Sequence, residues 1–254
     1  MNRAQILLIL SAIGLFFILY FGCDVKSKEQ KKVANAVAMT LENLNPTTLI
    51  KQATAALTAE QRAEIQPLTE KTTAESTPSV LKLLSAAWHN AGHDEVASIY
   101  AQRIAETEKT DEAWSIAGAN FYLALQKATD PNLREFCSKR AAEAFQNAAS
   151  LNPTKLEHRL NLALCFVENP PADNPMKGIL QLRELDAQNP ENTVVNFQLA
   201  RLAIKTGQFD KAIARLERIL AKEPKNSRFI CLLADAYEGK GDPKAAEWKA
   251  KCGN

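Results

Sequence analysis

The chain has 254 residues, 46% of them apolar, with 31 basic against 29 acidic side chains and a formal net charge of +2. That near balance excludes a nucleic-acid footprint, which needs a basic excess on one face, and a disordered polyelectrolyte. Only 9 glycines are present and alanine is abundant. Alanine costs least in a helix and glycine about 1 kcal/mol more, so the composition predicts an all-α protein.

Residues 1–25 come first. Ile6 to Phe21 is an uncharged apolar run in which Ser11 is the one polar interruption. Continued through Gly22 and Cys23 it rises about 27 Å as a helix, enough to approach the hydrocarbon thickness of a bilayer. Tyr20 sits where an amphipathic ring favours the interface. The expected element is a transmembrane helix or signal anchor, giving a single-pass membrane protein. A cleaved signal would share the short basic start at Arg3, but the run is long for one and no good A-x-A site follows. Cys23 after Gly22 resembles a bacterial lipoprotein acceptor, although Tyr20 and Phe21 stand where that motif wants small or aliphatic residues. Lipidation is therefore the lesser reading. Lys26, Lys28, Lys31 and Lys32 against Arg3 alone would keep the remainder cytoplasmic, whereas an exported chain would have the opposite orientation. Both topologies stay open.

Residues 26–76 read as a helical neck and linker. Val33, Val37 and Leu41 fall four apart on one helix face, and Asn45-Pro46 ends that segment. Thr47 or Thr48 can cap a short helix from Leu49 to Leu57. Thr58 with Gln61 fits a capping box for another. Glu70 to Thr77 is polar and aperiodic, and is expected to be a linker.

From Pro78 onward the sequence repeats itself. The clearest unit, 193–226, carries Leu199, Ala200 and Ala203 on one helix, then Gly207, then Ala212, Leu216 and Ile219, then Pro224. The next, 227–251, repeats the register with Leu233, Ala234, Tyr237, Gly241 and Ala246. Its last helix carries charge and Trp248, as a terminal cap would. Unit 159–192 has Cys165, Phe166, Gly178, Leu182 and Leu185, with its turn replaced by Asn169-Pro170-Pro171-Ala172-Asp173-Asn174-Pro175. Unit 111–155 has Trp114, Ala117, Gly118 and Phe121, then Ala141, Phe145, Ala148 and Pro153, with an insertion around Gln126 to Arg134. Unit 78–110 has Leu81, Leu84, Trp88, Gly92, Ala97 and Ile104, and lacks the closing proline. The pattern resembles the tetratricopeptide repeat, a helix–turn–helix unit of about 34 residues. Small residues let the two helices approach, glycine takes the turn conformation, and proline stops the second helix. The resemblance implies a right-handed α-solenoid over 77–254, in which each pair buries its apolar face against a neighbour.

The resemblance also implies where binding would occur: a concave groove lined by the first helix of each pair. The matching positions are Lys82, His89, Asn90, Tyr122, Phe197, Arg201, Lys205 and Arg228, with Asp235 and Glu238. Lys82, Arg201, Lys205 and Arg228 would make the groove moderately basic, with Tyr122 and Phe197 as apolar anchors for an acidic peptide. Some members of the family clamp a chaperone tail through Lys, Asn and Arg. Lys82 and Asn90 match but the rest of that clamp is absent, so the activity is not carried over.

His89 and His93 are four apart, but Gly92 lies between them at a turn and removes the shared face a metal pair needs. His158 sits at a unit boundary without companions in sequence. No two cysteines show C-x-x-C spacing. Cys165 occupies a packing position, while Cys231 and Cys252 lie at neighbouring ends of the last helix pair, a candidate disulfide. No phosphate loop, G-x-S-x-G or paired-carboxylate motif occurs, so neither enzyme activity nor a cofactor is expected. The expectation is a membrane-anchored scaffold for another protein or peptide, with envelope complex assembly as its setting. Two alternatives stand beside it: a self-associating structural component, or an accessory to an export or cytochrome-maturation enzyme.

Overall fold

The computed structural model describes residues 44–253. The anchor Ile6 to Phe21, Cys23 and the helix expected over Val33 to Leu41 lie outside the described residues. No described helix is long and apolar enough to cross a membrane. Among the described residues there are helices and no strands.

The helices are α1 (Pro46–Ala56), α2 (Ala59–Ala74), α3 (Pro78–Asn90), α4 (Asp94–Glu108), α5 (Asp111–Lys127), α6 (Pro131–Leu151), α7 (Leu156–Glu168), α8 (Lys177–Gln188), α9 (Thr193–Lys205), α10 (Phe209–Leu220), α11 (Ser227–Lys240) and α12 (Lys244–Cys252). Each packs on its chain neighbour from α2 onward, most lightly where α8 meets α9. The pairs are antiparallel. Lys82 early in α3 meets Glu108 at the end of α4, Asp111 at the start of α5 meets Asn152 just past α6, and Arg159 in α7 meets Gln188 at the end of α8.

Short polar side chains start many of these helices. The Thr58 hydroxyl accepts from Gln61 N–H while the Gln61 side chain accepts from Thr58 N–H, the reciprocal pair expected from the sequence. Thr110, Asp130, Asn192 and Asn226 likewise accept from backbone N–H groups of the first turns of α5, α6, α9 and α11. Each cap satisfies donors that the helix itself leaves unpaired. Gly207 and Gly241 supply the positive φ, 71° and 73°, that ends α9 and α11. The first unit, without a closing proline, stops instead at Lys109, which takes a left-handed φ of 52°.

Two expectations change here. Residues 70–74 are not linker: α2 runs on through them to Ala74, and the Thr72 hydroxyl donates back to Thr69 O at 2.7 Å. A helix lying mostly in solvent needs little apolar periodicity, so its absence was no stop signal. Pro46, read as the end of a segment, is the first residue of α1, where its missing N–H costs nothing. The insertion in the second unit lengthens both helices, to 17 residues in α5 and 21 in α6.

Apolar clusters follow one another along the stack. Ala53 and Ile65 of the first two helices and Leu57 between them pack with Leu81, Leu84, Trp88, Val96 and Tyr100. Alanines of α4, α5 and α6 follow, then Leu160, Leu182, Leu185 and Leu199, then Leu216, Ile219, Leu233 and Tyr237. Small residues set the closeness within pairs. A Cβ on Gly178 would stand 2.6 Å from Ala163 O and Val167 N, so α7 and α8 touch backbone to backbone.

Candidate binding face

The first helices of the pairs, α3, α5, α7, α9 and α11, form one row, with α5 against α7 and α9 against α11. Between α3 and α5 the row opens into a trough of about 520 Å³. Ala97, Ala101 and Ile104 of α4 line it from below, Lys82, Ser85, Ala86 and His89 come from α3, and Ala113, Ile116, Asn120 and Leu123 come from α5. The space exists because Ala97, Ala101 and Ala113, all buried, put methyl groups where larger side chains would meet. Ile116 is 60% exposed, a large apolar side chain on the wall of an open cleft.

The rim is charged and internally paired. Lys82 Nζ lies 2.8 Å from Glu108 Oε1. Asp94, nearly buried at the first turn of α4, accepts from His89 Nδ1 at 2.6 Å and from Lys127 Nζ at 2.7 Å. Burial pushes the Asp94 carboxyl up, but the hydrogen bonds and charges of Lys127 and His89 outweigh it and hold the group below its ordinary 3.8. Glu112 adds another carboxylate. In the trough the carboxylates Asp94, Glu108 and Glu112 stand with Lys82 and His89, while Arg201, Lys205 and Arg228 do not line it.

The other anticipated residues distribute unevenly. Asn90 is exposed at the end of α3 and is not part of the trough lining. Tyr122, half-buried on α5, shares its surroundings with Glu168 of α7 and Arg201 of α9. Burial raises its phenol first, the Glu168 and Cys165 groups add to that, and Arg201 opposes it. Arg201 donates to Gln198 at 3.0 Å, and both Arg201 and Lys205 are exposed. Phe197 is not a surface anchor. It is 8% exposed, with its ring 5.3 Å from that of Phe229. The Arg228 guanidinium covers it at 5.2 Å. Its position faces the seam between α9 and α11, and the neighbouring phenylalanine turns that seam into core. Glu238 pairs with Lys249 of α12, within its own unit.

Residues 179–236 match the family model described as tetratricopeptide repeat. Over α8 to α11 the chain is thus similar to that repeat. The stack is similar to the crystal structure of a thermophilic repeat protein of Thermus thermophilus, at a TM-score of 0.52 and 17% identity, spanning 76% of this chain and 100% of that one. It is also similar to a tetratricopeptide repeat protein from Parabacteroides merdae, at a TM-score of 0.52 and 14% identity, spanning 81% of this chain and 77% of that one. At such identities the likeness shows the fold. No curated protein matches the chain.

Polar groups also join the repeats, and these the sequence did not announce. His158, expected to lack companions, is fully buried and shares its Nε2 proton with Asp111 Oδ2 at 2.9 Å, across 47 positions. Asn152 donates to the same oxygen at 3.1 Å and Lys155 lies at 3.6 Å. The His158 bond, then that of Glu112, hold the Asp111 carboxyl well below the usual carboxylate range, with Asn152 and Lys155 adding to them. His89 and His93 are each tied to a carboxylate, Asp94 and Glu95. Among the described residues no group of three or more His, Cys, Asp and Glu is arranged to hold a metal ion. Cys231 and Cys252 are joined, with Cα atoms 4.8 Å apart, while Cys137 and Cys165 are free and buried.

Proposed function

We propose that the chain is a membrane-tethered scaffold that holds a segment of another protein across the first-helix row, with an apolar side chain of that segment seated in the trough between α3 and α5. The trough carries the reading: a methyl-floored cleft with an exposed isoleucine on its wall, framed by charges already paired with one another. Such a cleft rewards an apolar anchor, because the surrounding polar groups lose no partner when water leaves. A segment running on across α5 passes Tyr122 and reaches Arg201 and Lys205, which suit acidic residues there. The apolar run Ile6 to Phe21 supplies the tether, which raises the local concentration of whatever the row holds. Assembly of an envelope complex is the role we assign to such a tethered holder.

The test uses a photo-crosslinking side chain at Ile116, with Lys139 of α6 as the control position. The expected result is a discrete adduct with another protein from Ile116 and none from Lys139. Ala86→Trp, which fills the trough from an exposed helical site, should abolish the adduct without changing helix content. Equal adducts from both positions would overturn the reading, and adducts with the chain itself alone would replace it by self-assembly.

A further inference from the structure

Among the described helices α12 is the shortest. α12 has nine residues and none is buried. Ala245 and Trp248 rest half-buried against the core built by Phe229, Leu233 and Tyr237. Nine residues fall below the length at which an isolated helix persists in water. The ion pairs of α12, Lys249 with Glu238 and Lys251 with Glu247, join largely exposed side chains, and such pairs contribute little. Two half-buried side chains are a light hold for such a helix.

The one covalent tie among the described residues lies where it is needed. Cys231 is in the second turn of α11 and Cys252 is the last residue of α12, so the bond joins the far ends of the hairpin, 21 positions apart in sequence. The remaining described cysteines do not compete for it. Cys137 and Cys165 are fully buried, and burial pushes their thiols up to about 12. Exchange requires a thiolate that can be reached, and neither offers one.

We infer that the Cys231–Cys252 bond is a clasp that seats α12 on α11, and that the repeats therefore face the oxidising side of the membrane. The second half rests on the tether proposed above. Structural disulfides persist in oxidising compartments and are rare where glutathione and thioredoxin keep thiols reduced. The bond forms by exchange with the disulfide of a thiol–disulfide oxidoreductase. One cysteine thiolate of the pair attacks a donor sulfur, giving a mixed disulfide and releasing one donor thiolate. The second cysteine thiolate then attacks its partner's sulfur and releases the other donor thiolate. Two electrons and, overall, two protons pass to the donor, which leaves as a dithiol. On this topology the lysines after the anchor lie on the far side, against the count of Lys and Arg alone.

Cells expressing the full chain are quenched in acid, and free thiols are alkylated before and after reduction. The expected result is that Cys231 and Cys252 are modified only after reduction. Hydrogen exchange on the purified full chain supplies the second readout. Reduction, or the variant C231A/C252A, should speed exchange in α12 on the order of a hundredfold, the loop-closure effect for about twenty residues, and leave α3 to α6 unchanged. Alkylation of both thiols without reduction overturns the clasp and the topology together. A bond present with α12 exchange indifferent to it overturns the seating role. Fractionation of the same cells reports the tether separately: a bonded chain recovered away from membranes overturns the topology and leaves the clasp standing.

Discussion

The seam between α3 and α5 and the seam between α9 and α11 hold equivalent places in the stack, yet one is open and the other is filled. At the first, Ala97, Ala101 and Ala113 leave a trough of about 520 Å³. At the second, Phe197 and Phe229 bring their rings within 5.3 Å and the Arg228 guanidinium lies over the first of them. The helix pairs on both sides are built alike, with small residues where their two helices meet. The comparison separates two sets of residues. One set brings helices together and fixes the stack; the other fills or empties the spaces between first helices and decides what the surface can receive. A repeat protein can change the second set without unsettling the first.

The largest effect should come from emptying the filled seam. Phe197→Ala removes a buried aromatic ring and leaves a cavity, at a cost of about 3 to 4 kcal/mol. Urea unfolding followed by helix signal should show a lower midpoint with an unchanged slope. The opposite change in the open seam, Ala86→Trp, should alter stability by no more than about 0.5 kcal/mol, because Ala86 is exposed and the space is already there. Similar losses from both variants would mean that the trough is as much a structural element as the aromatic seam.

Next comes the closeness within a pair. Gly178→Ala gains up to about 1 kcal/mol of helix propensity, but its Cβ would stand 2.6 Å from backbone atoms of α7 that cannot swing aside. The pair must spread, and overpacking of this kind costs about 1 to 3 kcal/mol. A net loss of about 2 kcal/mol in the same unfolding experiment is expected. A gain would show that α7 and α8 can separate freely, and that packing within pairs is less exacting than the seams.

What the sequence made legible follows the same division. Gly178, Gly207, Gly241, Ala117 and Gly118 announce the repeats because close approach and left-handed turns admit few residue types, wherever the neighbour lies. The Thr58–Gln61 capping box was readable because both partners sit within three positions. Phe197 was misread as an anchor because its burial depends on Phe229, a repeat further on, rather than on its own place in a helix. The trough needed α4 as well as the first helices, and Ile116 lay outside the positions assigned to the groove. His158 and Asp111 stand 47 positions apart, and nothing local to either signals the pair. Contacts within one unit were legible; the contents of the spaces between units were not.

The smallest effect concerns the charged rim, and it carries a pH signature. Lys127→Met removes one of the two hydrogen-bond partners of Asp94 and keeps the other, His89. A hydrogen bond to a buried carboxylate contributes about 1.5 to 3 kcal/mol, but the Lys127 side chain is 57% exposed, which discounts the loss to about 1 kcal/mol at neutral pH. The folded pKa of Asp94 lies below its unfolded value of 3.8. Its contribution is therefore fully present above that value and is lost as pH falls through the depressed folded pKa. The stability gap between the native chain and Lys127→Met should hold from pH 7 down to about pH 5 and close in the acid range beneath the unfolded carboxylate value. A gap that stays constant into acid would assign Lys127 a packing role, through the stem it lays along α5, and would leave Asp94 held by His89 alone.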